Sequence, residues 1–186
     1  MPFSNLLLSA CFLPSTTSHN ENGNDVKLSQ KAGETILFFS IDKQGNSDCE
    51  ELRKLLGLGK PGEKICDLLV LYVKKDENQG TYERVICFIE MKGSRVDTAV
   101  QQVISTYNAF CELLKKDSKN LLSKFTAKAY IKVKASSATK NDNSEKELEK
   151  VFGRGNYRIL RDSDLDDFVR GEAYQPKGKK GKSNKK

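Results

Sequence analysis

Residues 65–92 read ICDLLVLYVKKDENQGTYERVICFIEMK, and this stretch decides the fold. Two apolar runs, Ile65–Lys74 and Tyr82–Met91, flank Asp76-Glu77-Asn78-Gln79-Gly80, a cluster of turn-forming residues. Each run is apolar at odd and even positions alike. Strands of that kind belong in the middle of a sheet covered on both faces. The pattern predicts an antiparallel hairpin at the centre of a mixed α/β structure. Opposed residues in a hairpin have a constant index sum. A two-residue loop (Asn78-Gln79) and a four-residue loop (Glu77–Gly80) both give a sum of 157, which sets Asp67 across from Glu90.

Three polar residues stand in these otherwise apolar runs: Asp67, Glu90 and Lys92. Glu90 and Lys92 are two apart and share a strand face. Directly opposed residues project to the same face with Cβ atoms ~5 Å apart. Two carboxylates that close repel each other. A hard divalent cation, Mg²⁺ or Mn²⁺, removes that penalty. A lysine beside them can hold or activate an attacking water, or neutralise the charge that develops on phosphorus. Such a set is suited to metal-assisted phosphodiester hydrolysis. A plainer reading stays open at this level: an ion pair of Lys92 with one acid at a strand end, because E-x-K is short and common.

Outward from the hairpin, Glu34–Ile41 reads as a strand. Ser47-Asp48 offers a cap for a short helix, Glu50–Leu56, ended by Gly57. Val96, Val100, Val103, Ile104, Tyr107, Phe110, Cys111 and Leu114 recur at helical spacing, which predicts an amphipathic helix over Val96–Lys116. Phe125–Ala135 alternates as a strand. Ser144–Phe152 reads as a charged helix, Tyr157–Leu160 as a strand and Leu165–Arg170 as a last helical turn. Strands and helices in this order fit one layered α/β domain. Residues 15–30 are polar and Gly-containing and read as a loop. The boundaries are then an N-terminal segment and loop over 1–33, the domain over 34–172, and a disordered basic tail over 173–186.

The run from Cys66 to Tyr107, with CDLLVLYV and then ICFIEMKGSRVDTAVQQVISTY, resembles the PD-(D/E)xK nuclease-like superfamily. It is similar to small members with a CD strand, an IELKG strand and a following A-x-x-Q helix. The resemblance implies a restriction-endonuclease-like core: a central mixed β-sheet with an antiparallel hairpin, flanked by helices. It implies Asp67, Glu90 and Lys92 as catalytic residues, with Asp67 and Glu90 on the metal. Gln102, or its neighbour Gln101, matches a helix glutamine that orients the site. Many relatives add a Glu from the first core helix; Glu51 is the first candidate for a third metal ligand and Glu50 the next. If neither reaches the metal, a one-metal site is implied. Cys66 stands where the motif has Pro. Tyr107 falls one residue too late for the Q-x-x-x-Y motif of recombination nucleases and reads as core. The match spans about a quarter of the chain, so it speaks to fold and metal chemistry more than to substrate.

Net charge is +7, and the six lysines of Lys177–Lys186 account for all but +1 of it. Such a tail cannot bury enough apolar surface to fold. Lys179, Lys180, Lys182, Lys185 and Lys186 can serve as a nucleic-acid anchor through counterion release, or as a solubilising tail. Lys128, Lys132 and Lys134 alternate along one strand and read as a solvated edge or a basic rim. Asp162, Asp164, Asp166 and Asp167 read as a helix N-terminus. Five cysteines without a CxxC pair fit reduced, structural thiols in a cytoplasmic protein. The single His19 lies in a polar stretch and gives no support to His-based chemistry. The apolar residues among 1–14 lack a basic leader and read as a segment docked on the domain. No stretch reaches the ~20 apolar residues of a membrane span.

The expectation is a Mg²⁺- or Mn²⁺-dependent nuclease acting on nucleic acid, with DNA ahead of RNA, and with homodimerisation as in many relatives. The alternative is a catalytically inactive nucleic-acid-binding or assembly module that retains the fold.

Overall fold

A computed structural model describes residues 11–21, 23–43, 45–60, 62–76, 80–92, 95–117, 122–133, 142–160 and 165–171. Its architecture is mixed α/β. The strands are β1 (Phe12–Leu13), β2 (Ser18–Glu21), β3 (Asn24–Lys27), β4 (Glu34–Ser40), β5 (Leu68–Lys75), β6 (Tyr82–Lys92), β7 (Thr126–Val133) and β8 (Tyr157–Leu160). The helices are α1 (Ser47–Leu55), α2 (Val96–Asp117), α3 (Asp142–Phe152) and α4 (Leu165–Arg170). Six strands form one sheet in the order β1-β4-β5-β6-β7-β8, and β2 with β3 forms a separate hairpin. The pairs from β1 through β6 are antiparallel, whereas β6–β7 and β7–β8 are parallel. Parallel neighbours require a crossover, and α2 and α3 supply the two that the topology needs.

Both faces of the central strands are covered, as their two-sided apolar pattern requires. Leu69, Leu71, Ile86, Phe88, Ala129 and Ile131 pack with Cys49 and Leu52 of α1, Val100 and Val103 of α2, and Leu148 and Phe152 of α3. Leu68, Val70, Tyr72, Cys87, Ile89 and Tyr130 pack on the opposite side with Val26 of β3, Leu28, and Phe168 and Val169 of α4. Phe88 meets Tyr107 and Phe110 edge-on, with ring centroids 5.6 and 5.9 Å apart. Such pairs contribute about 0.5–1.5 kcal/mol beyond area burial. Tyr107 is therefore part of the packed interior, as its spacing indicates.

Three local readings are revised. Asn46, not Ser47 or Asp48, caps α1: its side chain accepts the N–H groups of Asp48 and Cys49. The polar stretch taken as a loop contains the β2–β3 hairpin, whose register sets His19 opposite Val26. One completely buried valine and the buried Leu28 anchor it, a weak signal in a run of polar residues. Lys128 and Lys132 are neither a solvated edge nor a basic rim; both are buried. Lys128 Nζ donates to Phe168 O (2.7 Å) and Val169 O (3.1 Å), binding the end of α4. Lys132 Nζ donates to the backbone carbonyl of Asp25 and pairs with its carboxylate at 3.1 Å. Lys134, Asp162, Asp164 and the tail lysines Lys179, Lys180, Lys182, Lys185 and Lys186 lie outside the described residues. Asp166 and Asp167 occupy the first turn of α4, where the helix dipole favours acids.

Candidate active site

The β5–β6 register has an index sum of 157 at each pair, from Lys75↔Tyr82 to Leu68↔Ile89. Asp67 and Glu90 are the next pair in that series, one step beyond the last bridge. There the side chains continue what the backbone ladder stops doing. The Asp67 N–H donates to Glu90 Oε2 at 3.2 Å, and the Met91 N–H donates to Asp67 Oδ2 at 2.7 Å. Each carboxylate thus binds the backbone of the opposite strand. Asp67 is 7% exposed and Glu90 is 0% exposed. On its other side the Asp67 carbonyl accepts the Ile41 N–H at 3.0 Å, tying the site to the end of β4.

Helix α2 positions the segment that enters the site. Gln102 Nε2 donates to Ile65 O at 2.9 Å. Thr106 Oγ1 accepts the Cys66 N–H at 2.8 Å and donates to Gln102 O at 2.7 Å. Gln102 and Thr106 are one turn apart, so a single helix face holds the two residues preceding Asp67. Gln101 takes no part: it is exposed and bonds Glu147 of α3 at 2.9 Å. Thr106 is a positioning residue that the sequence pattern does not single out, because a buried threonine on a helix face looks like any other core position.

Lys92 closes β6 opposite Val133 of β7. Glu51 does not join the acids. Cys49 and Leu52 turn the buried face of α1 inward and leave residue 51 exposed. Glu50 is exposed as well. Among the described residues no group of three or more His, Cys, Asp or Glu side chains is placed to hold a metal ion. The acids brought together at this point are Asp67 and Glu90. That pair fits Mg²⁺, which takes one or two carboxylates and otherwise keeps water or substrate phosphate oxygens. A carboxylate has about four lone-pair sites, so a bond from a backbone N–H leaves capacity for a cation.

The surroundings are electrostatically tuned. Burial, and then the charge of Glu90, push the Cys66 thiol well above its ordinary value. That keeps Cys66 a neutral packing group rather than a nucleophile. His19 is brought by the β2–β3 hairpin into the field of Asp67. Burial lowers its pKa and the Asp67 charge partly opposes that. A polar hollow of about 360 Å³, lined by Lys64, Thr98, Gln101, Ser144 and Glu147 among others, opens beside the α2 tie. A larger one, about 670 Å³, lies at the turn end of the hairpin around Lys75, Asp76 and Tyr82, remote from both carboxylates. No helix in the described residues is long and apolar enough to cross a membrane.

Compared with models of protein families, with curated proteins and with solved structures, the chain matches none.

Proposed function

We propose that the chain is a metal-dependent nuclease with a restriction-endonuclease-like core, hydrolysing phosphodiester bonds of DNA in preference to RNA. The observation that carries this reading is the reciprocal exchange of Asp67 and Glu90 across the end of the central hairpin. Two buried acids at one point cost energy unless something positive is held there. Mg²⁺ or Mn²⁺ would be held by Asp67 and Glu90, and when bound supplies Lewis-acid polarisation of a phosphoryl oxygen and a more acidic water. Lys92, two residues beyond Glu90, orients the attacking water and offsets charge on the phosphate in flight. Gln102 holds Ile65 O, and thereby keeps Asp67 in register with Glu90. With no third acid in place among the described residues, the one-metal form of the site is the one proposed.

The test is cleavage of plasmid and oligonucleotide substrates with Mg²⁺ or Mn²⁺, comparing the natural chain with Asp67→Asn and Lys92→Ala. The Asn can still accept the Met91 N–H, so the fold is retained while the anionic ligand is lost. Loss of cleavage in both variants supports the reading; cleavage that survives in both sinks it. A second reading is a catalytically inactive nucleic-acid-binding or assembly module. It is favoured by the lack of a third acid among the described residues. Salt-dependent, metal-independent binding without cleavage distinguishes it.

A further inference from the structure

The sulfurs of Cys11 and Cys49 lie 2.8 Å apart. Both residues are 1% exposed. They come from distant places: Cys11 immediately precedes the edge strand β1, and Cys49 sits in the first turn of α1, 38 residues on. The backbone of Ser40, at the end of β4, holds both. Its N–H donates to Cys11 O at 2.8 Å, and its carbonyl accepts the Cys49 thiol at 3.3 Å. A disulfide requires about 2.05 Å between sulfurs, so joining them takes a movement of less than ~1 Å at positions the fold already fixes.

The geometry points to Cys11 and Cys49 as a dithiol modification site, oxidised by peroxide to an intramolecular disulfide. Each thiol loses its proton, the pair gives up two electrons and one sulfur–sulfur bond forms, while hydrogen peroxide is reduced to two waters. The other three cysteines are poorly suited. Burial pushes the Cys66 thiol well above its ordinary value and the Cys87 thiol up to about 12. Burial raises the Cys111 thiol as well. Reactivity follows the thiolate, so these are disfavoured. Access to the pair comes through β1. It is an edge strand of two residues, paired only as Phe12↔Phe39 and Leu13↔Phe38 within the described sheet. Short edge elements open at a fraction of the global unfolding free energy.

The bond would staple the N-terminal edge to α1 across the end of β4. Ile41, next to Ser40, donates its N–H to Asp67 O, so the staple also stiffens the strand end against which the carboxylate pair rests. The site stands independently of the nuclease reading.

The experiment uses the full chain, first reduced and then freed of reductant. It is treated with equimolar hydrogen peroxide, alkylated in denaturant, digested without reduction and mapped by mass spectrometry. The expected result is a linked Cys11–Cys49 peptide two hydrogens lighter than its parts, with Cys66, Cys87 and Cys111 alkylated. Closing a loop of this length raises the melting temperature by roughly 10 °C, and dithiothreitol reverses the rise. Cys49→Ser and, separately, Cys11→Ala abolish both the link and the rise. Five alkylatable thiols after treatment would overturn the assignment. So would links through Cys66, Cys87 or Cys111, or sulfinic acid at single cysteines in place of the link.

Discussion

Arg170→Ala removes the centre of a buried ionic network, and its cost can be worked from the contacts. The Arg170 side chain is 3% exposed and that of Glu34 1% exposed. Nε donates to Glu34 Oε1 at 2.8 Å and Nη2 to Oε2 at 2.7 Å, a bidentate pair. Glu34 also accepts the Tyr72 hydroxyl at 3.0 Å and the Lys31 N–H at 2.8 Å. Arg170 further donates to Asp166 Oδ1 at 2.9 Å and Ser29 O at 2.5 Å. The hydrogen bonds from Arg170, working against burial, hold the Glu34 carboxyl down from 4.5 to about 2. The folded-state pKa is the lower one, so this stabilisation is complete above about pH 4.5 and is lost as pH falls toward about 2. A shift of that size corresponds to about 3 kcal/mol. Deleting the arginine leaves a buried carboxylate with neutral donors alone, at a cost of about 3–5 kcal/mol near neutrality. Urea unfolding followed by circular dichroism at pH 7, 5 and 3 reads both effects. Natural chain and variant should differ most at pH 7 and converge in acid. Arg170→Met combined with Glu34→Gln should recover much of the loss, because the buried charge of Glu34 goes with its partner, and Asp166, 37% exposed, is left facing solvent. Parallel pH curves, or a difference below ~1 kcal/mol at pH 7, would refute the reasoning.

Three further outcomes are expected. Gln102→Leu strips Ile65 O of its donor at 2.9 Å and costs about 1–3 kcal/mol; cleavage falls with it, and unchanged melting and cleavage would count against a positioning role. Glu51→Ala, at an exposed position of α1, leaves stability within about 0.5 kcal/mol and leaves the Mg²⁺ dependence of cleavage as it was. A tenfold weaker Mg²⁺ response would restore Glu51 as a ligand. Lys128→Met keeps the aliphatic stem but removes the donor to Phe168 O and Val169 O, so amides of α4 exchange faster with solvent; undiminished protection would argue against the tie.

The hairpin was legible because everything that specifies it is local. Ile65–Lys74 and Tyr82–Met91 are apolar on both faces, the turn is short, and loops centred between Asn78 and Gln79 share one index sum, the 157 seen in the register. Opposition of Asp67 and Glu90 follows from that arithmetic for a hairpin without a bulge, and the register holds 157 from Lys75↔Tyr82 to Leu68↔Ile89. The α2 stripe was legible for the same reason, since its period is written within one segment. Gln102 was reached through motif resemblance, and the structure gives it a partner, Ile65 O, 37 residues away. Glu51 could not be placed from the sequence, because spacing along a helix does not say which face docks. Only the burial of Cys49 and Leu52 does.

What the amino-acid order determined by itself, then, is the mixed α/β layering, the central hairpin and the pairing of two acids across it. These rest on periodicity and chain geometry over short distances. The tertiary structure alone decided that Lys128 and Lys132 are buried ties, that His19 lies in the field of Asp67, that Arg170 meets Glu34 136 residues away, and that the sulfurs of Cys11 and Cys49 touch. Each of these joins elements whose docking is set by complementary apolar faces. The polar partners are carried into contact by that packing, and no local pattern records where they will land.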